Sequence, residues 1–195
     1  MARMKDETKR QSILESSKML FSQKGFFNTS ISNIVRETGF PVGTIYTYFK
    51  SKDEIVRSIV EEGWQQWYEQ VEQACDTESS QEQKIRILID CFIPELFEDP
   101  DFINILLSEA IQYTRVESKI EKLTDLIFSL VKPIAVRSQM LQVLSRDSFQ
   151  AALIIFLLGI LDAARLARSS SIGLKESHIT GFMKMLIENV LGVTL

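Results

Sequence analysis

The residues best suited to chemistry in this 195-residue chain form one cluster between positions 42 and 52. Its members are small, hydroxyl-bearing or aromatic, with a single ammonium group: Val42, Gly43, Thr44, Tyr46, Thr47, Tyr48 and Lys52. None of them carries a carboxylate. A surface of this kind suits a groove lined with phosphate groups. The cluster therefore predicts contact with a nucleic acid.

Catalytic and metal-binding patterns are weak by comparison. His178 is the one histidine, and the sequence has no phosphate-binding glycine loop and no HExxH helix. Cys75 and Cys91 cannot complete a four-ligand zinc site with that histidine alone, and they are typical of buried thiols. The acidic residues near the interior are typical of ion pairs: Glu109, Asp162 and Glu188. We expect no enzyme activity, no cofactor and no metal.

Two short helices position the cluster. Ser30 is a helix start signal, and an apolar face follows it at Ile31, Ile34 and Val35. Gly39 ends this helix, because only glycine takes the left-handed conformation there without a steric cost. A second short helix then carries Ile45 and Phe49, with Pro41 where a side-chain cap is usual. The pattern predicts a helix-turn-helix.

A third helix begins directly after the cluster. Residues Ser51 to Glu54 form a capping box, in which Ser51 accepts from the backbone of Glu54 and Glu54 reaches back to Ser51. This fixes Lys52 in the first helical turn, where an ammonium and a helix N-terminus together favour an anion. Thr29 and Ser30, at the opening of the first short helix, are also placed to contact a DNA backbone.

The charge distribution supports the same prediction. Residues 1–52 hold nine Lys/Arg and four Asp/Glu, a net charge of +5, whereas residues 53–195 hold thirteen and twenty-two, a net charge of −9. The chain total is −4. A basic segment attached to an acidic one is drawn to a polyanion in one orientation.

The spacing Gly39-x-x-x-Gly43-Thr44-x-Tyr46-x-Tyr48-Phe49-x-Ser51-Lys52-x-x-Ile55 resembles the DNA-binding domain of TetR-family transcriptional regulators. Matching residues precede it at Phe21, Gly25, Thr29, Ser30 and Ile34, and the resemblance covers roughly residues 8–56. Pro41 departs from the family pattern, which usually has serine there. The resemblance implies an all-α fold with a helix-turn-helix domain at residues 1–51 and a helical ligand-binding and dimerisation domain at residues 52–195.

Apolar periodicity predicts the remaining helices. A basic arm over residues 1–9 precedes a first helix that ends near Lys24, and a long helix begins at Lys52. Later helices are predicted over residues 83–97, with a kink at Pro94, over residues 117–132, ending near Pro133, over residues 149–168, and over residues 175–191. Gly63 in the long helix is either a close-packing point or a bend.

The family resemblance implies a ligand pocket among the kinked helices. Candidate lining residues would favour an apolar molecule oriented by a few polar groups: Trp64, Trp67, Phe92, Leu96, Glu109, Gln112, Tyr113, Phe128 and Phe156. Aromatic residues at helical spacing are also typical of a plain core.

The helix over residues 149–168 is apolar almost all round, so both of its faces need cover. A four-helix contact between two chains would supply it, as in TetR-like dimers, with a buried monomer core as the alternative. The candidate interface residues are Phe156, Gly159, Ile160, Ala163, Phe182, Met183, Leu186 and Ile187.

Taken together, the sequence predicts a cytoplasmic, homodimeric regulator that binds an inverted-repeat DNA operator and responds to a small, largely apolar effector, most simply as a repressor. No signal peptide or membrane-spanning segment is expected, because the longest uncharged apolar run, residues 148–161, is too short to cross a bilayer. The alternatives are a helical interaction protein of the same fold without operator binding, and a helical enzyme.

Overall fold

The computed structural model describes residues 6–78, 80–92, 94, 99–106, 116–135, 145–168, 173 and 175–192. All regular structure in these ranges is helical, which confirms the all-α prediction. The helices are α1 (Glu7–Lys24), α2 (Ile31–Thr38), α3 (Val42–Tyr48), α4 (Lys52–Thr77), α5 (Gln81–Ile87), a π-helical turn (Leu88–Phe92), α6 (Pro100–Leu106), α7 (Val116–Ala135), α8 (Arg146–Arg168) and α9 (Glu176–Leu191).

The chain divides into two compact units. The first comprises Met1–Gln66 and Pro100–Arg115, and the second comprises Trp67–Asp99 and Val116–Leu195. Compact units need not coincide with functional domains, so the division predicted at residues 51 and 52 stays a prediction.

One apolar core holds the first unit together. It joins α1, α2, α3 and α4 through fully buried isoleucines, Ile13, Ile34, Ile45 and Ile55 among them. Because α2 has eight residues and α3 seven, neither is stable alone, and burial against α1 and α4 supplies the missing free energy.

The first unit also contains a helix from far along the chain. α6 packs on α1, its Ile105 belongs to the same buried core, and the Asn104 amide donates to Ser22 Oγ at 3.0 Å. Phe102 on α6 lies so close to Gly63 that a Cβ there would meet the ring at 2.8 Å. Gly63 is therefore a close-packing point.

The second unit has its own core, which joins α4, α5, α7 and the π-helical turn through Val71, Cys75, Ile85, Ile89 and Leu130. The predicted helix over 83–97 is corrected: α5 begins at Gln81, because Ser80 caps it, and gives way to the π-helical turn before Pro94. Residues 95–98 lie outside the described chain, and with them most of the predicted kink.

Three further helix ends differ from their predictions. α1 begins at Glu7, inside the predicted arm, because the Asp6 carboxylate accepts from Thr8 N at 3.1 Å. α7 continues through Pro133 to Ala135, although proline has no N–H to donate to the Ser129 carbonyl. α8 begins at Arg146, because the Ser145 hydroxyl caps it by accepting from Ser148 N at 3.1 Å.

Candidate nucleic-acid interface

The N-terminus of α2 is fixed by a reciprocal pair of hydrogen bonds. Ser30 Oγ accepts from Asn33 N at 3.2 Å, and Asn33 Oδ1 accepts from Ser30 N at 2.8 Å. Ser30 is exposed, as its predicted contact with a DNA backbone requires. The cap therefore sets the direction in which α2 leaves the preceding turn.

Thr29 is buried, whereas the sequence predicted that it contacts a DNA backbone. Its side chain is 1% exposed, and its hydroxyl donates to Leu20 O at 3.2 Å and to Gly25 O at 2.9 Å. The hydroxyl hydrogen is committed to these two carbonyls, so Thr29 ties α2 to the end of α1 and does not reach a phosphate.

Gly39 makes the turn between the two short helices. Its φ of 70° lies in the left-handed region, and its N–H donates to Val35 O at 2.9 Å. Thr38 Oγ1 accepts from Phe40 N at 3.2 Å, and Phe40 packs against the core of the unit. The predicted turn is confirmed.

α3 presents an exposed face over a buried anchor. Ile45 is fully buried, whereas Val42 and Tyr46 are each 52% exposed. Gly43 and Thr47 are exposed as well, and Thr44 is half-buried. Pro41 supplies no side-chain cap, so burial of Ile45 and the flanking Phe49 holds the helix in position.

Tyr48 links α3 to the beginning of the chain. Its phenol oxygen accepts a hydrogen bond from Asp6 N at 3.1 Å, and the ring packs against the core of the unit. The residue that caps α1 is thereby held beside the C-terminal end of α3.

The N-terminus of α4 is capped almost as predicted. Ser51 Oγ accepts from Glu54 N at 3.1 Å. The Glu54 carboxylate, however, accepts from Lys50 N at 2.6 Å, one residue earlier than the Ser51 N–H assigned from the sequence. This bond fixes the link between α3 and α4.

The Lys52 ammonium points into the unit. It donates to Phe26 O at 2.6 Å and to Thr29 O at 2.8 Å, and lies 4.2 Å from the centre of the Phe26 ring. Desolvation by burial lowers its pKa, against a smaller opposing effect of Asp53. Two of its three N–H groups therefore hold the α1–α2 turn. The sequence predicted a contact between this ammonium and a phosphate.

Arg10 is a positioning residue that the sequence pattern did not single out. Its guanidinium is paired with the Glu62 carboxylate on α4, also contacts Glu7, and lies 5.5 Å from the centre of the Phe49 ring. It joins α1, α4 and the end of α3. Arg10 and Glu62 are 52 residues apart in the sequence. A single basic residue near a polar helix end gives no local signal of such an ion pair.

A hydroxyl-rich, exposed α3 held by α1, α2 and α4 is a helix-turn-helix arrangement with an additional N-terminal helix. The family model described as "Bacterial regulatory proteins, tetR family" matches residues 13–59, which are these four helices from within α1 to within α4. Residues 13–59 therefore form a helix-turn-helix domain of the TetR family.

Relatives of this chain are named as transcriptional regulators. It is 35% identical over 91 residues to the uncharacterized HTH-type transcriptional regulator YfiR of Bacillus subtilis (strain 168), an alignment that covers 46% of the chain and 42% of YfiR. The chain thus spans less than half the length of that relative.

Solved structures show the fold over nearly the whole chain. One is the fatty acid degradation regulator FadR from Bacillus halodurans, with a TM-score of 0.73 and 16% identity, covering 97% of this chain and 96% of that one. Another is the transcriptional regulator FadR from Bacillus subtilis in complex with stearoyl-CoA, with a TM-score of 0.70 and 15% identity, covering 93% and 95%. At these identities the likeness establishes fold alone.

The structure describes the side chains of four of the nine candidate ligand residues: Trp64, Trp67, Phe128 and Phe156. Trp64 belongs to the first unit, Trp67 packs against the core of the second, and Phe128 packs on Phe149 with ring centres 5.4 Å apart. The other five predicted residues lie outside what the structure describes, Phe92 by its side chain only: Phe92, Leu96, Glu109, Gln112 and Tyr113.

Phe156, the last of the predicted ligand residues, lines an open apolar groove of about 570 Å³ between α8 and α9. Six of the eight predicted interface residues line it: Phe156, Gly159, Ile160, Ala163, Phe182 and Met183. Of the other two, Leu186 is half-buried, and Ile187 packs against the core of the second unit. Ile160 and Met183 are buried at the groove, while Phe182 is 57% exposed.

Within the described ranges, no helix is both long and apolar enough to cross a membrane. The same ranges contain no group of three or more histidine, cysteine or acidic side chains arranged to hold a metal ion.

Proposed function

We propose that this TetR-family chain is a homodimeric transcriptional regulator that binds an inverted-repeat operator in duplex DNA. The observation that carries the proposal is the exposed, carboxylate-free face of α3 within a segment of net charge +5. A helix of this kind suits the major groove, where it meets base edges and two lines of phosphates.

The proposed contacts follow the exposure of the side chains. Val42, Gly43 and Thr47 lie nearest the base edges, while Thr44, Tyr46 and Tyr48 contact phosphates together with Ser30 at the start of α2. Thr29 and Lys52 act indirectly, since their polar atoms hold the turn that orients α2.

Dimerisation is proposed through α8 and α9. Their outer surface carries large exposed apolar side chains: Ile155, Leu158, Phe182 and Met185 are 72%, 55%, 57% and 52% exposed. An apolar surface of this extent is favourable only when it is covered. A second copy of the same two helices covers it in a closed four-helix contact.

The regulator is proposed to be a repressor released by a small, largely apolar effector. The B. subtilis FadR structure, in complex with stearoyl-CoA, has the same fold, and long-chain acyl compounds are therefore the first to test on this chain. An effector weakens operator binding only if it prefers a conformation that binds DNA poorly. The two tryptophans, Trp64 and Trp67, provide a fluorescence signal for the titration.

From the proposed role as a DNA-binding regulator we infer that the protein acts in the cytoplasm and is not an enzyme. A protein of this fold that binds other proteins and no operator is the second candidate, favoured by the acidic net charge of −9 over residues 53–195.

Selection from a randomised pool of duplex DNA distinguishes the two candidates. The regulator is expected to enrich one sequence with two inverted half-sites, bound by two copies of the chain. A pool that stays random after several rounds in low salt would reject operator binding and leave the interaction protein.

A further inference from the structure

The chemical composition of α3 limits how it can read a base sequence. Among its seven residues, Val42 to Tyr48, none carries an amide, carboxylate, guanidinium or ammonium group. These are the groups that make paired hydrogen bonds to guanine, adenine and cytosine in the major groove. α3 therefore lacks the usual side chains for hydrogen-bonded base recognition.

The hydroxyl groups of α3 offer little replacement. Thr47 Oγ1 donates to Gly43 O at 2.8 Å within the helix. The Tyr48 oxygen accepts from Asp6 N at 3.1 Å, at the opposite end of the helix from Val42. Thr44 is half-buried.

α3 exposes an apolar surface beside its hydroxyl groups. Val42 and Tyr46 are each 52% exposed, and because they are four residues apart they lie on the same face of the helix. Gly43 beside them leaves open space, since no atom lies within 4 Å of the position of a Cβ. A flat, apolar feature of a base edge can approach this face closely.

The C5-methyl of thymine is the apolar group that a base pair presents in the major groove. We propose that this chain reads its operator through thymine methyl groups packed against Val42 and the ring of Tyr46. The Tyr46 hydroxyl stays available to a phosphate, because the ring has an apolar body and a polar tip. This inference rests on the proposed function and adds the chemical group that is recognised.

The test begins with the duplex enriched from a randomised pool. Each thymine of a half-site is replaced in turn by deoxyuridine, which removes only the methyl group. At one or two positions the affinity is expected to fall roughly fourfold for each methyl removed. Deoxyuridine in the flanking sequence is the matched control and is expected to have no effect.

A variant then assigns the contact to α3. Val42→Ala is expected to weaken binding to the thymine duplex by a similar factor. Its binding to the deoxyuridine duplex is expected to be almost unchanged, because that duplex already lacks the methyl group that Val42 contacts. Val42 is half exposed, so the variant keeps the core of the unit intact.

Other outcomes overturn the proposal. If 7-deazaguanine weakens specific binding and deoxyuridine does not, sequence is read by a cation outside α3, such as the exposed Lys50 or Arg36. Specific binding that is insensitive to every deoxyuridine rejects this inference and leaves the proposed function standing. Failure to enrich any duplex rejects both.

Discussion

Polar side chains near α3 divide into those that face outward and those that hold the domain together. Thr29 and Lys52 belong to the second kind, because their polar atoms donate to backbone carbonyls of α1 and of the α1–α2 turn. These hydrogen bonds fix the turn, so the fold depends on both residues. Only the outward-facing group is available to a ligand.

Replacing Lys52 by alanine is expected to lower the free energy of unfolding by about 1.5–3 kcal/mol, the range for hydrogen bonds to a charged donor. Lys50→Ala, two residues away on an exposed side chain, removes the same charge and is expected to change it by less than about 0.5 kcal/mol. Urea denaturation of both variants measures the difference. Equal stabilities would mean that Lys52 is a surface charge after all.

Lys52→Ala also tests whether Lys52 positions the turn or contacts a phosphate. A residue that contacts one phosphate contributes about one unit to the salt dependence of DNA binding. Lys52→Ala is expected to leave this slope unchanged under conditions where the domain is folded. A slope reduced by about one in Lys52→Ala would restore the direct contact that the sequence suggested.

Among the elements, α4 and α6 complete the helix-turn-helix domain. Ile55, Val56, Ile59 and Val60 of α4 and Ile105 of α6 belong to its buried core. Gly63 and Phe102 pack closely between these two helices. Three N-terminal helices thus become stable by using surface from α4, which follows them directly, and from α6, which begins more than 50 positions after α3 ends.

Gly63→Ala tests this packing. A methyl group there would meet the Phe102 ring at 2.8 Å, and overpacking of a core costs about 1–3 kcal/mol, more than the gain of roughly 1 kcal/mol in helix propensity. We expect a lower melting temperature. Gly181→Ala on α9 has no atom within 4 Å of the new methyl and is expected to raise it. An increase in both variants would contradict the close approach of α6.

On the scale of the whole molecule, the exposed apolar surface of α8 and α9 is the feature from which dimerisation is proposed. Phe182→Glu places a carboxylate at the centre of the proposed contact between two copies. Sedimentation velocity is expected to give a monomer for this variant and a dimer for the parent at micromolar concentration. Gln73→Glu, an equal charge change on exposed α4, is expected to stay dimeric. A dimeric Phe182→Glu would place the interface elsewhere.

Local signals made the DNA-binding domain predictable from its sequence. Ser30, Gly39 and Ser51 mark helix ends through interactions with residues three or four positions away, and the structure has all three ends where those residues indicate. The spacing of Ile34, Ile45 and Phe49 in the same way identified the buried face.

Long-range partners were not predictable, for a physical reason. The carbonyls that Lys52 binds are 26 and 23 residues away, and Glu62 is 52 residues from Arg10. Such pairs depend on how helices pack, and no local spacing encodes them. The same holds for the apolar candidate ligand residues, which share their helical spacing with ordinary core residues.

The most direct measurement of the central claim is an anisotropy titration of the enriched duplex with the parent chain and with Tyr46→Glu. A carboxylate on the exposed face of α3 would meet the phosphates of the groove, so affinity is expected to fall at least a hundredfold while the melting temperature is unchanged. Gln66→Glu carries the same charge change on an exposed side chain of α4 and is expected to bind like the parent. Equal affinity of Tyr46→Glu and the parent would show that α3 does not lie on DNA.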